Sequence, residues 1–459
     1  MKFMLRYLFV FIVIGIMNKV YSQENPGLIK LSISEAQEYA LQNNRTVKSA
    51  KIDVQSSDKK VWETLSSGLP QISLAANYQH QFVIPEISFG PYLDVNSLPA
   101  TGFLSKNDLL DAYKQSPSIP LGVKDNTTFD FTLSQLIFSG QYLVGLQAVK
   151  VFNKATEKTL VKTEDQIKET VAGTYYLVLV LSESIRVLKE SLKSVDQTFN
   201  DMVKMNQQGF NEETDVDQIN INRSNIKRLI TSTESQKEIS MNLLKYQLGM
   251  EFTQPILLTD SIPGIVDQAN LKYLSAPTFK VENSIDYQLL NNQVELAVLS
   301  VKNQKSKYFP TVSAFYRRHE QTNQPSFNFA VKDLVGVSLN IPIFVSGQRT
   351  AQVSQAKFDL EKSQLNKENA GKGLVMEFES ALSAYQTAFS NFTTNKESIV
   401  LSQKVYDKTL VKFHEGVVSS FELTQIQSQY LTAEAGYYTS ILTLLNAKAK
   451  LDRILSNTN

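Results

Sequence analysis

The sequence contains one pattern twice, once in each half of the chain. A strand-like run ends in Ser139-Gly140-Gln141, and a second run ends in Ser346-Gly347-Gln348. Each copy opens a segment with the apolar spacing of a long helix. An internal repeat of this kind indicates that each half builds the same supersecondary unit, so the architecture is predicted to be duplicated.

The positions of the prolines predict very long helices. None of the thirteen prolines lies between Pro120 and Pro255, and none follows Pro342. Proline removes a hydrogen-bond donor and clashes inside a helix, so both tracts lack the commonest helix breaker. As one continuous helix, residues 139–208 would be about 105 Å long.

Each tract has one break, at a glycine. Gly209 and Gly416 are followed at the same offset by residues that cap helices, such as Asn211 and Ser419. Glycine readily adopts the left-handed conformation that ends a helix, and small polar side chains cap the next one. Each tract is therefore predicted to be a helical hairpin.

Apolar residues in the tracts recur in steps of three and four, which is typical of coiled-coil packing. They are Leu181, Ile185, Leu188, Leu192, Val195, Phe199 and Met202 in the first tract, and Phe378, Leu382, Tyr385, Phe389 and Phe392 in the second. We interpret these stripes as packing residues.

The N-terminus has the pattern of an export signal. Lys2 and Arg6 precede an apolar run at 7–17, and small residues follow at the positions that a signal peptidase reads. The run is too short to span a bilayer, so residues 1–22 are predicted to be a signal peptide. Its removal takes three of the 46 basic residues and none of the 45 acidic ones, which argues against a nucleic-acid partner.

The sequence contains no cysteine. This excludes disulfides, thiolate metal sites and cysteine nucleophiles. It also excludes a lipid-anchored N-terminus, because that attachment needs a cysteine after the cleavage site.

Four segments with alternating apolar and polar residues precede the helical tracts, at 71–83 and 127–138 and at 311–320 and 333–344. Strands with lipid on one side and water on the other have this pattern. A two-sheet soluble domain produces the same alternation, so periodicity alone does not decide between a membrane sheet and a soluble domain.

Topology favours the membrane interpretation. Four strands cannot close a barrel, since about eight is the smallest number known, and open edges do not occur in lipid. Three chains would share a twelve-stranded barrel and bundle their helices into a hollow cylinder. We therefore expect a mixed fold of helices and transmembrane strands, with 23–254 as the first repeat, 255–280 as a linker and 281–459 as the second repeat.

The motifs resemble those of the TolC family of outer-membrane efflux proteins. They are the segment 33–44, Gly68-Leu69-Pro70, Tyr308-Phe309-Pro310, the two Ser-Gly-Gln strand exits, the two glycine turns and Tyr246-Gln247-Leu248-Gly249. Each motif alone is weak, but their order and duplication are specific. The resemblance implies a trimeric channel-tunnel with a shared twelve-stranded barrel and a long α-helical conduit in the periplasm.

The resemblance also implies site residues. In the family, acidic residues just past the hairpin turns line a closed pore constriction, and the matching positions are Asp215 and Glu422. Gln425 stands where the family has a second acid, and Phe413 matches an aromatic residue of the closed gate. Val418 stands where a gating arginine occurs, so the polar lock is expected to be weaker or built differently.

The turns are also expected to contact a periplasmic adaptor protein. The residues expected at this contact are Gly209, Asn211, Gly416, Val418 and Ser419. The longest loop, 84–126, is expected to face the exterior as a surface insertion rather than as a ligand site.

No pattern for catalysis occurs in the chain. The histidines His80, His319 and His414 are dispersed, and the sequence has no zinc-protease helix, phosphate loop or nucleophile elbow. We expect no enzyme activity, no cofactor and no metal site.

Together these observations predict the outer-membrane channel of a tripartite efflux system in a Gram-negative bacterium. It would be a homotrimer in outer-membrane lipid that accepts substrates from an inner-membrane transporter through the adaptor. The alternatives are the exit duct of a type I protein-secretion system, or a periplasmic coiled-coil scaffold without a barrel.

Overall fold

The computed structural model describes residues 27–88, 107, 111, 118–269, 279–325 and 328–456. The predicted signal peptide, 1–22, and most of the loop predicted at 84–126 lie outside these residues. Numbered in chain order, the helices are α1 Ile33–Asn43, α2 Arg45–Ser66, α3 Gly140–Gln207, α4 Glu213–Leu248, α5 Ile262–Ala269, α6 Ile285–Ser306, α7 Gln348–His414 and α8 Ser420–Leu455. The strands are β1 Ile29–Leu31, β2 Gln71–His80, β3 Glu86–Ser88, β4 Ser118–Pro120, β5 Asp125–Ser139, β6 Ile256–Leu258, β7 Thr311–Gln321 and β8 Asp333–Asn340.

The chain divides into two compact units, each built from separate segments. The helical unit comprises Met1–Gln55, Ala155–Asn291 and Leu365–Asn459, and the sheet unit comprises Ser56–Lys154 and Asn292–Gln364. Each unit takes segments from both predicted repeats, because corresponding elements of the two repeats pack side by side. The described parts of the predicted linker, 255–269 and 279–280, belong to the helical unit, where β6 pairs in parallel with β1.

The sheet unit contains an antiparallel sheet with the strand order β2-β5-β7-β8. Strands β5 and β7 come from different repeats and pair along most of their length, with Leu133 opposite Tyr316. Strand β2 ends at His80, before the predicted limit at residue 83. Strand β8 ends at Asn340 rather than at 344, since Pro342 cannot donate to the ladder.

The two faces of this sheet differ in polarity. Opposite residues of paired strands share a face, so Leu74 lies beside Phe131 and Ala314 beside Val337. The apolar face carries Ile72, Leu74, Ala76, Phe129, Phe131, Leu133, Val312, Ala314, Val335, Val337 and Leu339. The other face is mostly small or polar, with Ser73, Asn77, Thr128, Thr132, Ser134, Ser313, Ser338 and Asn340.

The helical unit has two apolar clusters. The first packs α1, β1 and α5 against α3, α4, α7 and α8, and it includes Tyr175, Leu248, Tyr385 and Leu444. The second, here the turn cluster, lies at the hairpin ends of α3, α4, α7 and α8. Its buried members are Val195, Met202, Ile219, Ile226, Ile230, Tyr406 and Leu423. Two of these residues, Val195 and Met202, belong to the stripe of apolar residues identified in the first tract of the sequence.

Of the helices described, α3 contains a window long and apolar enough to cross a membrane, and half of that window is buried inside the protein. Length and composition do not separate a membrane helix from a core helix. Because Val171 and Tyr175 of α3 are fully buried in the first apolar cluster, the packing of this helix is that of a core helix.

Candidate functional site

The two hairpin turns have the same backbone geometry. Gly209 and Gly416 both adopt the left-handed conformation, with φ of 77° and 74°. After each, the next N–H donates five residues back, from Phe210 to Met205 and from Val417 to Lys412, both at 2.9 Å. This hydrogen-bond pattern is the Schellman motif that ends many helices. A Cβ atom at either glycine would meet nothing within 4 Å, so the backbone conformation alone requires glycine there.

The side chains that secure the turns differ between the repeats. In the first turn, the Asn206 amide donates to the Asn211 carbonyl at 2.9 Å, and the Asn211 amide donates to the Met202 carbonyl at 3.3 Å. In the second turn, Ser419 caps α8 by accepting from the Glu422 N–H at 3.2 Å. Asn211 is half-buried, whereas Ser419 and both glycines are exposed.

Asp215 links the two hairpins within one chain. Its carboxylate is half-buried and accepts a hydrogen bond from the hydroxyl of Ser420, which is only 4% exposed. Sequence reasoning missed Ser420. The sequence feature that could have identified Ser420 is a small polar residue at the first position of α8, between the cap Ser419 and the apolar Leu423.

The other residues predicted at the constriction lie in different environments. Glu422 and Gln425 are exposed on the first turns of α8. Phe413 is half-buried and packs against the turn cluster. The structure therefore engages Asp215 and Phe413 inside the chain and leaves Glu422 and Gln425 free to face another surface.

Exposed apolar residues surround both turns. Phe210 is 74% exposed, Val417 68% and Phe421 65%. Val418, which the sequence placed at the adaptor contact, is half-buried. The apolar surface of the turns is therefore formed by Phe210, Val417 and Phe421.

Buried polar groups connect the helices behind the turns. Asn222 of α4 donates to Gln427 of α8 at 2.7 Å, and Gln427 donates to Ser191 of α3 at 3.0 Å. All three residues are buried. Since an unpaired amide would be costly at such positions, the chain of hydrogen bonds fixes how the three helices meet.

Glu434 is a buried acid on α8. It is 7% exposed, and no described residue forms a hydrogen bond or ion pair with it. Burial raises the pKa of Glu434 to about 7, and the nearby cation Arg186 opposes the rise. Arg186 is itself held by Glu183 at 2.5 Å and Glu190 at 2.6 Å.

Among the described residues, no group of three or more histidine, aspartate or glutamate side chains is placed to hold a metal ion. Two of the histidines pair with aspartates in the sheet unit: His80 with Asp125 and His319 with Asp130, each at 2.7 Å.

Comparisons with known proteins identify the relatives of this architecture. The sequence profile of the outer membrane efflux protein family matches residues 282–457. A curated relative, the "Toxin and drug export protein A" of Aggregatibacter actinomycetemcomitans, is 22% identical over 305 residues, or 64% of this chain. The chain matches 63% of the length of that relative.

Two solved channels share the fold. The CmeC outer membrane channel of Campylobacter jejuni has a TM-score of 0.73 at 16% identity, over 93% of this chain and 85% of that chain. The MtrE outer membrane channel of Neisseria gonorrhoeae, solved in its open state, has a TM-score of 0.68 at 14% identity, over 93% of this chain and 89% of that chain. Residues 282–457 thus match the outer membrane efflux protein family, and the chain has the fold of these solved outer-membrane channels.

Proposed function

We propose that this protein is the outer-membrane channel of a tripartite efflux system, a passive exit duct for substrates delivered by an inner-membrane transporter. The observation that carries the proposal is the four-stranded sheet. One of its faces is apolar throughout its centre, and its edge strands β2 and β8 have no partner among the described residues. Such a sheet is stable in lipid only when its edges are paired.

In an assembly of three copies, every edge strand would have a pairing partner. Strand β8 of one copy would pair with β2 of the next and close a twelve-stranded barrel in the outer membrane of a Gram-negative bacterium. The apolar face would then meet lipid, where Val335 and Val337, which are 76% and 70% exposed in the single chain, would be buried. The polar face would line a water-filled path.

The hairpin turns would form the periplasmic end. Phe210, Val417 and Phe421 are exposed without an internal partner surface, which suits contact with an adaptor protein. Glu422 and Gln425 would face the pore. Asp215, held by Ser420, would join the two hairpins of each copy and keep the end closed.

Catalysis has no place in this proposal. The duct supplies a path and a gate, whereas the transporter supplies the energy.

A second candidate is the exit duct of a type I protein-secretion system. The name of the curated relative supports this second candidate, because it refers to toxin export as well as drug export. A periplasmic coiled-coil scaffold without a barrel does not account for an apolar sheet face on which Leu74, Val335 and Val337 are left exposed by the residues that the structure describes.

Native mass measurement in detergent, on protein extracted from the outer-membrane fraction, tests the proposal. We expect three copies, and we expect the folded assembly to migrate differently on gels before and after heating. A stable monomer in the outer membrane, or recovery of the protein only from the soluble periplasm, would contradict it. Loss of drug tolerance or of a secreted polypeptide in a deletion strain separates the two candidates.

A further inference from the structure

Charged residues are distributed differently on the two faces of the four-stranded sheet. On the apolar face they lie near the loop ends of the strands, at Asp125, Arg318, Glu320 and Asp333. On the polar face of the paired strands, the residues with titratable or charged side chains are Asp130, Arg317 and His319. The register places His319 opposite Asp130 and Arg317 opposite Thr132, so these residues form one cluster.

Within this cluster, Asp130 already has a partner. Nδ1 of His319 donates to Oδ1 of Asp130 at 2.7 Å, and both side chains are about three-quarters buried, with 22% and 26% exposed. Arg317 is exposed and forms no hydrogen bond, ion pair or ring contact with any residue in the described ranges. Asp130 is therefore hydrogen-bonded to His319 and forms no ion pair with Arg317.

The next residue, Arg318, differs from Arg317 in having ion-pair partners. Arg318 points to the apolar face, where its guanidinium group lies 2.7 Å from Glu320 and 3.8 Å from Asp333. One of two adjacent arginines is thus neutralised on the apolar face, and the other is left free on the polar face.

We propose that Arg317 selects charge in the transport path by attracting anionic solutes, such as compounds that carry a carboxylate or phosphate group. The inference rests on the proposed function, in which the polar face lines a water-filled barrel and three copies contribute three guanidinium groups. Rings of charged side chains select ions in channels, and a cationic ring favours anions. The carboxylate of Asp130 lowers this positive potential, but it is hydrogen-bonded to His319 and forms no ion pair with Arg317, so the guanidinium group stays available to solutes.

The reactivity of a single introduced cysteine can report the electrostatic potential next to Arg317. The chain has no cysteine of its own, so Thr132→Cys provides a unique thiol. Directly opposite side chains in an antiparallel pair are about 5 Å apart, which puts this thiol next to Arg317. The measurement is the ratio of modification rates with an anionic and a cationic methanethiosulfonate reagent, on the trimer in lipid vesicles.

We expect Arg317→Gln to lower the anionic-to-cationic rate ratio at Thr132→Cys by at least about threefold at low salt, with a smaller change at high salt. Arg318→Gln is the matched control, because it removes the same charge from the next residue on the other face. His319→Ala should also lower the ratio, since Asp130 then becomes free to pair with Arg317.

An unchanged ratio in Arg317→Gln would overturn the inference, and so would an equal fall in Arg318→Gln. Failure of the proposed function gives a different result. In that case aqueous reagents would modify Phe131→Cys, on the apolar face, as fast as Thr132→Cys in the vesicles.

Discussion

At the scale of single residues, buried polar groups matter more here than the charges visible in the sequence. Asp215 accepts a hydrogen bond from Ser420, and Asn222 donates to Gln427, which in turn donates to Ser191 on a third helix. Glu434, by contrast, is a buried acid without a hydrogen-bond partner among the described residues. Glu434 and the hydrogen bond between Asp215 and Ser420 are the sites at which single substitutions have clear expected effects.

Glu434 should make the stability of the helical unit depend on pH. Its pKa is about 7 in the folded chain against an ordinary value of 4.5 for glutamate, so the folded state holds the proton to higher pH. Stability therefore falls as pH rises from about 4.5 to 7, and the full cost is present above that range. Glu434→Gln should remove this cost and be more stable than the parent at pH 8 by up to about 3 kcal/mol, with little difference at pH 4.

Urea unfolding followed by circular dichroism at pH 4, 6 and 8 measures the effect. Glu397→Gln, on an exposed face of α7, is the control and should follow the parent at every pH. A stability difference between Glu434→Gln and the parent that is constant with pH would contradict the assignment, because it would reflect packing rather than proton binding.

Substitutions at Asp215 and Ser420 can distinguish the effect of their hydrogen bond on the proposed gate from the effect of the negative charge there. Ser420→Ala removes the hydrogen bond and leaves the carboxylates of Asp215 and Glu422 in place. A hydrogen bond to a charged group contributes about 1.5–3 kcal/mol, so its loss should raise single-channel conductance in planar bilayers without changing ion selectivity. In the proposed constriction, rings of the Asp215 and Glu422 carboxylates would favour cations, so replacing both with alanine should instead reduce cation selectivity.

The two variants thus predict different changes in the same recording. If Ser420→Ala conducts as the parent does, Asp215 and Ser420 do not keep the pore closed. Unchanged selectivity in the double alanine variant would place both acids outside the pore.

At the scale of elements, each helical hairpin depends on one glycine and its Schellman motif. The same geometry occurs in both repeats although the side chains around it differ, with Asn211 in one turn and Val418 in the other. The backbone of the turn is therefore conserved between the repeats, and the surface that each turn presents can differ. This allows one turn to contact a partner more strongly than the other.

We expect the second turn to carry much of the adaptor contact. Val417→Ser together with Phe421→Ser removes two exposed apolar side chains, each worth about 1.5–3 kcal/mol when buried. Serine is tolerated at the start of a helix, so trimer formation and membrane insertion should be intact. Crosslinking to the adaptor and efflux-dependent drug tolerance should be lost.

Phe82→Ser is the control for this experiment, because Phe82 is also a highly exposed phenylalanine but belongs to the sheet unit. It should crosslink and export as the parent does. If the Val417→Ser and Phe421→Ser trimer still crosslinks at the parental level, the adaptor contacts another surface.

At the scale of the whole molecule, the single chain leaves much apolar surface uncovered. The edge strands lack partners among the described residues, and apolar residues such as Ile239, Phe358 and Leu401 are exposed on long helices. The apolar patches of monomeric proteins are usually small, so this surface fits a chain that is completed by other copies. The same duplication that makes the two halves alike supplies both units with elements from each repeat.

The sequence by itself determined the local features of this protein. Proline-free tracts with a three-four spacing specify long helices, Gly209 and Gly416 specify where they reverse, and a period of two specifies the faces of the strands. These features depend on neighbours within a few residues, so they can be deduced without knowing the fold.

Only the tertiary structure decided which distant groups meet. Ser420 reaches Asp215, Gln427 reaches Asn222, and Glu434 becomes buried because α8 packs against α3 and α4 from the other repeat. The division into units and the free charge of Arg317 also follow from pairing between repeats, as in the alignment of β5 with β7. Such contacts depend on which faces of long elements come together across some two hundred residues of chain, and periodicity contains no information about that choice.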